Sequence, residues 1–257
     1  MAPNAQHYVW AGGHFVLFLS ATRYLLAWLT FRSSAYSKLY YLSYIGGLIS
    51  YAIVCHKAYG SQATNNFRRL ATDENAMYLA LAIFWWISKP VPVSLIPFAI
   101  FSLFHVLTFT RTYILPQFLP PTPPATAGQP PQQHQFTKKI QLWIKNNYDT
   151  AMRIVAYTEL IIMFRVSVGA FLLQNSLLSP IFYAHFLRFR YYQSQFTQRA
   201  VARVKAEVDK FVTRPGSPPV LLSVWQNAQM IINRWAGSLL VQQPPPQQQQ
   251  PAAAGRR

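Results

Sequence analysis

Glu159, Arg165, Arg23 and His105 are the residues of this 257-residue chain that could do chemistry in an apolar setting, because each lies inside a long hydrophobic run. An ionisable side chain within a membrane span is costly and marks an ion or proton path by default, so these four outline a small transporter or channel. Glu159 and Arg165 stand six positions apart. They occupy different helix faces and cannot pair as neighbours one turn apart. The structural alternative pairs Glu159 with Arg23 or Arg165 of another segment, or lets each charge snorkel to the interface. That alternative is preferred, since transporters build midplane sites from longer, repeat-related spans.

Other chemistries find less material. Only six Asp and Glu exist, four of them in loops or the basic tail, and no two share a buried face where general acid and base could cooperate. His7, His14, His56, His105, His134 and His185 lack metal-ligand spacing, and the lone Cys55 can neither close an intramolecular disulfide nor join a metal set. Gly12-Gly13 and Gly46-Gly47 are isolated pairs rather than a phosphate-cradling loop. No catalytic residue, metal or cofactor is expected.

The elements that must position these residues are hydrophobic. The chain is 52% hydrophobic and 11% charged, where a soluble domain carries about 25% charged residues. So few charges cannot cover so apolar a core in water. Residues 1–22 contain no Lys or Arg, so no cleavable leader is expected there. Membrane-length segments need about 20 apolar residues. Residues 8–31 qualify in length but carry His14 and Arg23, and a central Arg costs about 2.5–3.5 kcal/mol to insert. Residues 39–54 are cleaner, and Ser43/Gly47 and Gly46/Ser50 form small-xxx-small pairs that let a second helix approach closely. Residues 76–88 and 93–110 read as a hairpin broken at Lys89-Pro90-Val91-Pro92, with Pro97 early in its second arm. Residues 154–173 and 177–189 make a third pair around Gln174-Asn175-Ser176.

Cation placement orients these hairpins. With three of them, one face holds Lys57, Arg68, Arg69, Arg111, Lys138, Lys139, Lys145, Arg153 and the ten cations from Arg188 onward; the other holds Arg32, Lys38 and Lys89. Eighteen against three places both termini in the cytosol. A single crossing at 154–173 would give 8 against 13 and is disfavoured. Arms as short as 76–88 and 177–189 dip into the cytosolic leaflet more than they traverse the bilayer, which favours curved membrane.

Beyond the hairpins, residues 196–212 repeat apolar side chains at helical spacing, with Arg199, Arg203, Lys210 and Arg214 as a basic stripe opposite. Such a helix suits the surface of an anionic membrane, gaining about 1 kcal/mol per cation near the headgroups. Pro215-Gly216-Ser217-Pro218-Pro219 ends it, and residues 220–241 form a second amphipathic stretch bearing Trp225 and Trp235. Both could instead pack on the protein's own loops. The charge of +17 raises nucleic acid as a ligand, but the cations sit at the ends of apolar segments and no nucleic-acid motif appears.

Two stretches carry a family resemblance. Residues 96–110, with Pro97, Phe101, Ser102, His105, Thr108 and Thr110 in order, and residues 180–191 resemble the transmembrane protein 33 family, and Glu159 sits where that family has a Glu. The resemblance implies a multi-pass protein of the endoplasmic reticulum and nuclear envelope without catalytic activity. It implies reticulon-type shaping proteins and nuclear pore components as partners, and a packing role for the six motif residues. The Pro/Gln-rich stretches depart from the animal pattern.

The expectation is therefore an all-α integral membrane protein of about three short hairpins, with four to six inserted helices, followed by cytosolic amphipathic helices. Two hairpins fill 8–115, a disordered Pro/Gln-rich loop 116–137, the third hairpin with its lead-in 138–190, the basic region 191–242 and a disordered tail 243–257. An oligomer is allowed.

Overall fold

The computed structural model describes residues 4–60, 67–70, 72–119 and 134–237. Most of the 116–137 loop, the tail 243–257 and the side chains of Arg68 and Trp235 lie outside the described residues. Every regular element described is helical: α1 (Ala5–Leu29), α2 (Ser37–Tyr59), α3 (Phe67–Leu70), α4 (Glu74–Ile87), α5 (Leu95–Phe109), α6 (Leu115–Phe118), α7 (Gln135–Phe171), α8 (Leu178–Gln193), α9 (Gln195–Val212) and α10 (Pro219–Gly237). Residues 1–201 and 202–257 form two units. Helix occupies both edges of the segment expected as loop, since α6 covers 115–118 and α7 begins at 135.

Local chemistry sets the helix ends. Asn4 caps α1 by accepting from His7 N at 3.0 Å, and Asp73 caps α4 by accepting from Ala76 N at 2.9 Å. α1 and α7 both end through a left-handed residue that is not glycine, Phe31 (φ 57°) and Leu173 (φ 56°). Each turn closes on a helix carbonyl, Arg32 N on Ala27 O and Gln174 N on Gly169 O, both at 2.7 Å. The left-handed conformation costs an L residue about 1–2 kcal/mol, so these turns rest on those caps.

Three stretches among the described residues are long and apolar enough to cross a bilayer: 33–59, 92–118 and 135–171. The chain is an all-α membrane protein. α4 has 14 residues and α8 has 16, about 21 and 24 Å at 1.5 Å per residue, short of a hydrocarbon layer of roughly 30 Å.

The first unit has a largely apolar and aromatic core, but its outer surface is apolar as well and small hydroxyl residues are buried between its helices. Leu19, Ile161 and Phe164 face outward, while Ser20, Ser43, Ser50, Ser94, Ser102 and Ser179 are buried. Small hydroxyl residues let helices approach and bond across the gap where hydrophobicity supplies no drive between them. Ser20 and Ser43 meet at 2.9 Å, and Ser50 donates to Trp10 O at 2.8 Å. At Gly13 and Gly46 the α1 and α2 backbones almost touch; a Cβ on Gly46 would stand 2.6 Å from Gly13 O. The small-residue pattern in α2 thus finds its partner in α1.

The second hairpin departs from expectation. α4 packs on α2 and α8, whereas α5 packs on α1 and α7. The arms of 76–110 therefore meet through side chains rather than along closely packed backbones. The Tyr78 ring of α4 makes T-shaped contacts with Phe98 and Phe101 of α5 and with Phe186 of α8.

Candidate functional site

Glu159 lies about two-thirds of the way along α7 with no exposed surface. An isolated buried carboxylate is strongly unfavourable, so it demands a cation and donors. Arg190, near the end of α8 and 5% exposed, supplies the cation, its Nε 3.0 Å from Glu159 Oε1. Its Nη1 reaches Glu74 Oε1, in the first turn of α4, at 2.6 Å. Tyr78 Oη donates to Glu159 Oε1 at 2.8 Å, and Thr197 Oγ1 stands 3.5 Å from Oε2. One guanidinium thereby joins α4, α7 and α8, with the start of α9 added through Thr197. Glu159 is fully buried whereas the Glu74 side chain is about half exposed, so the arrangement is a lock with one enclosed and one surface acceptor.

Two readings of the sequence are corrected here. Glu159 pairs with Arg190 and with neither Arg23 nor Arg165. Arg23 is exposed, its guanidinium 3.8 Å over the Tyr36 ring, and Arg165 is exposed on α7. Arg190 was counted with the cations of one membrane face, yet it points into the protein. Glu74 and Glu159 come from different helices and only the fold brings them to one arginine, but Glu159 alone is buried and Glu74 is exposed, so no two carboxylates share a buried face. The available signal was Glu74 and Tyr78, one helical turn apart at the start of an apolar run.

The motif residues on α5 mostly face inward. Ser102 is fully buried and bonds His14 Nδ1 of α1 at 2.9 Å. His105 lies 4.4 Å from the His14 ring and 5.2 Å from the Trp10 ring. Phe101 meets Tyr78, Pro97 is buried, and Thr110 opens a single π-helical turn. Thr108 is different: it is exposed. Six residues at 100° each set it about 120° away from Ser102 around the helix, so a packing role does not extend to it.

On α9, Arg199 is exposed within the first unit. In the second unit Arg203, Lys210 and Arg214 are exposed as well. Lys210 donates to Glu207 Oε1 at 2.9 Å, which lowers the Glu207 carboxyl below its usual value. Arg214 stands 5.7 Å from the Phe211 ring. Trp225 is half-buried, its indole N–H donating to Asp209 Oδ1 at 2.5 Å, with Gln229 Nε2 on the same oxygen at 2.9 Å. That face of α10 turns toward α9, leaving Val220, Val224 and Ile231 exposed. The sequence offered Trp225 as a surface anchor; its polar end is instead occupied within the protein.

Among the described residues no group of three or more His, Cys, Asp or Glu could hold a metal ion. The profile of the family described as transmembrane protein 33/nucleoporin POM33 matches residues 1–238. The chain belongs to this family. It is similar to tetra-spanning protein 1 of Schizosaccharomyces pombe, 30% identical over 238 residues that cover 90% of this chain and 84% of the relative. Nucleoporin POM33 of Chaetomium thermophilum is 31% identical over 237 residues, 86% of this chain and 83% of the relative. Transmembrane protein 33 of Mus musculus is 23% identical over 148 residues, 57% of this chain and 55% of the relative. No solved structure matches. The transmembrane protein 33/nucleoporin POM33 match takes in every helix from α1 to α10, so the basic α9 and the apolar α10 belong to the family region as fully as the buried lock does.

Proposed function

We propose that this protein is a structural, non-catalytic membrane protein of the nuclear pore and endoplasmic reticulum that stabilises curved membrane. The relatives named nucleoporin POM33 and pore membrane protein of 33 kDa support the nuclear pore part. Both termini face the cytosol in this reading, with nuclear pore components and reticulon-type proteins as partners and anionic lipid beneath α9 and α10.

The observation that carries the curvature reading is the turn between α7 and α8. Phe171 is 89% exposed and Leu173 79%, and Leu177 and Leu178 are exposed beside them. Exposed apolar side chains of this kind are stable in hydrocarbon rather than water, and the exposed Gln174 and Ser176 are the polar groups that the turn carries with them. A short α8 returning from a tip inside the bilayer adds area to one leaflet alone. Arg199, Arg203, Lys210 and Arg214, with Val220, Val224 and Ile231, supply charge and apolar surface for binding an anionic membrane surface.

Cys55 is the sole native cysteine and is buried, so a cysteine at position 173 gives a clean probe. In sealed vesicles L173C is expected to resist a membrane-impermeant maleimide from both sides and to react only after detergent. Labelling from the lumen in opened vesicles would overturn the inserted tip. Reconstituted full-length protein is expected to narrow anionic vesicles into tubules, and reversing the four basic residues to Glu is expected to weaken this.

A further inference from the structure

A cavity of about 490 Å³ opens between the first turns of α1 and the last turns of α2, lined by His7 and Trp10 on one side and Ile53, Val54, Lys57 and Ala58 on the other. Its size falls in the range of small-molecule sites, roughly 300–1,000 Å³.

Polarity within the cavity is graded. α1 and α2 run antiparallel, and the Ser50 to Trp10 bond with the Gly13 and Gly46 contact fixes their register. Lys57 then lies level with Asn4, Ile53 level with His7, and Trp10 deepest. The outer end is polar and cationic, whereas the inner part is apolar and aromatic. Such a gradient fits an amphiphile.

Charge selects its sign. None of the lining residues is a carboxylate, and Lys57 makes no ion pair among the described residues. Asp73, which caps α4 through Ala76 N, does not line the cavity. The first turn of α1 contains no acidic residue and directs its positive dipole end to the same level.

We propose that this cavity binds one anionic glycerophospholipid, its phosphodiester at Lys57 and the first turn of α1, and an acyl chain along Trp10, Ile53 and Val54. A free phosphate would leave the apolar part unfilled, and a zwitterionic lipid would leave Lys57 less well matched. The assignment rests on neither curvature nor topology, and it holds whichever leaflet meets this end of α1 and α2.

Native mass spectrometry of the full-length protein in detergent tests it, with dioleoyl phosphatidylserine or dioleoyl phosphatidylcholine added at equal concentration. The expected result is about fivefold greater retention of phosphatidylserine, the preference one well-placed cation near a headgroup provides. K57E is expected to abolish that preference, A58W to reduce retention of both lipids by filling the space, and K89E, outside the cavity, to change neither. Circular dichroism and a monodisperse detergent profile establish that each variant is folded. Equal retention of the two lipids, unchanged retention in K57E, or absence of any retained lipid would overturn the proposal. Soluble glycerophosphoserine is expected not to compete; displacement at the lipid's own concentration would mean that the headgroup alone is recognised, which also overturns it.

Discussion

The Arg190 guanidinium and the Glu159 carboxylate meet at 3.0 Å, with Glu159 fully enclosed and Arg190 nearly so. Separated by 31 positions, they tie the return arm α8 to the long helix α7, and the same guanidinium reaches Glu74 on α4. The setting explains why both charges are tolerated. A buried pair with excellent geometry and further hydrogen bonds recovers desolvation that either ion alone could not.

Removing one partner should therefore cost more than removing both. Arg190→Met leaves Glu159 buried without its cation and is expected to destabilise the protein by about 3–5 kcal/mol. Adding Glu159→Gln should restore much of that loss. Thermal unfolding in detergent measures both; a single variant that melts with the parent would show the ion pair to be energetically idle.

Gly12 and Gly46 make a second comparison. A Cβ at Gly46 would collide with Gly13 O and the Leu17 backbone, while one at Gly12 meets nothing within 4 Å. Gly46→Ala is expected to cost about 1–3 kcal/mol by forcing α1 and α2 apart. Gly12→Ala should be neutral or stabilising by up to about 1 kcal/mol, because alanine orders a helix at lower entropic cost. Denaturant titration in mixed micelles distinguishes them, and equal effects would argue against backbone contact as the cause.

Within the α5 motif, Ser102→Ala should matter and Thr108→Ala should not. The first strips a fully buried His14 of its Ser102 partner at 2.9 Å, and an unsatisfied buried polar group costs about 1–3 kcal/mol. The second trims an exposed side chain. Protease resistance of the two variants in native membranes provides the readout.

How much of this was legible in the sequence varied with the kind of interaction. Helices and their hydrophobic runs were readable because periodicity and length are local properties. The close approach of α1 and α2 was half visible: Gly46 and Ser50 announced a partner, but nothing local named Gly13 and Trp10 as that partner. Arg190 misled, since a cation at the end of an apolar run normally lies in a loop, and only the fold reveals a buried carboxylate waiting 31 positions earlier. Trp225 misled for a related reason. An apolar helix face says that something covers it, without saying whether lipid or protein does.

That ambiguity can be tested at Trp225 and Val224, adjacent on α10 but turned to different surroundings. Trp225 donates to Asp209 and is half-buried, whereas Val224 is 59% exposed. Trp225→Phe deletes a hydrogen bond to a charged acceptor while keeping most of the apolar ring. It is expected to cost about 1.5–3 kcal/mol locally and to accelerate amide hydrogen exchange along α10 in the full-length protein, with little change in vesicle binding. Val224→Ser should do the opposite, sparing exchange in detergent while weakening association with anionic vesicles, because it removes apolar surface that is mostly exposed. If Trp225→Phe alone weakened vesicle binding and left exchange unaltered, the indole would be acting on lipid and not on Asp209.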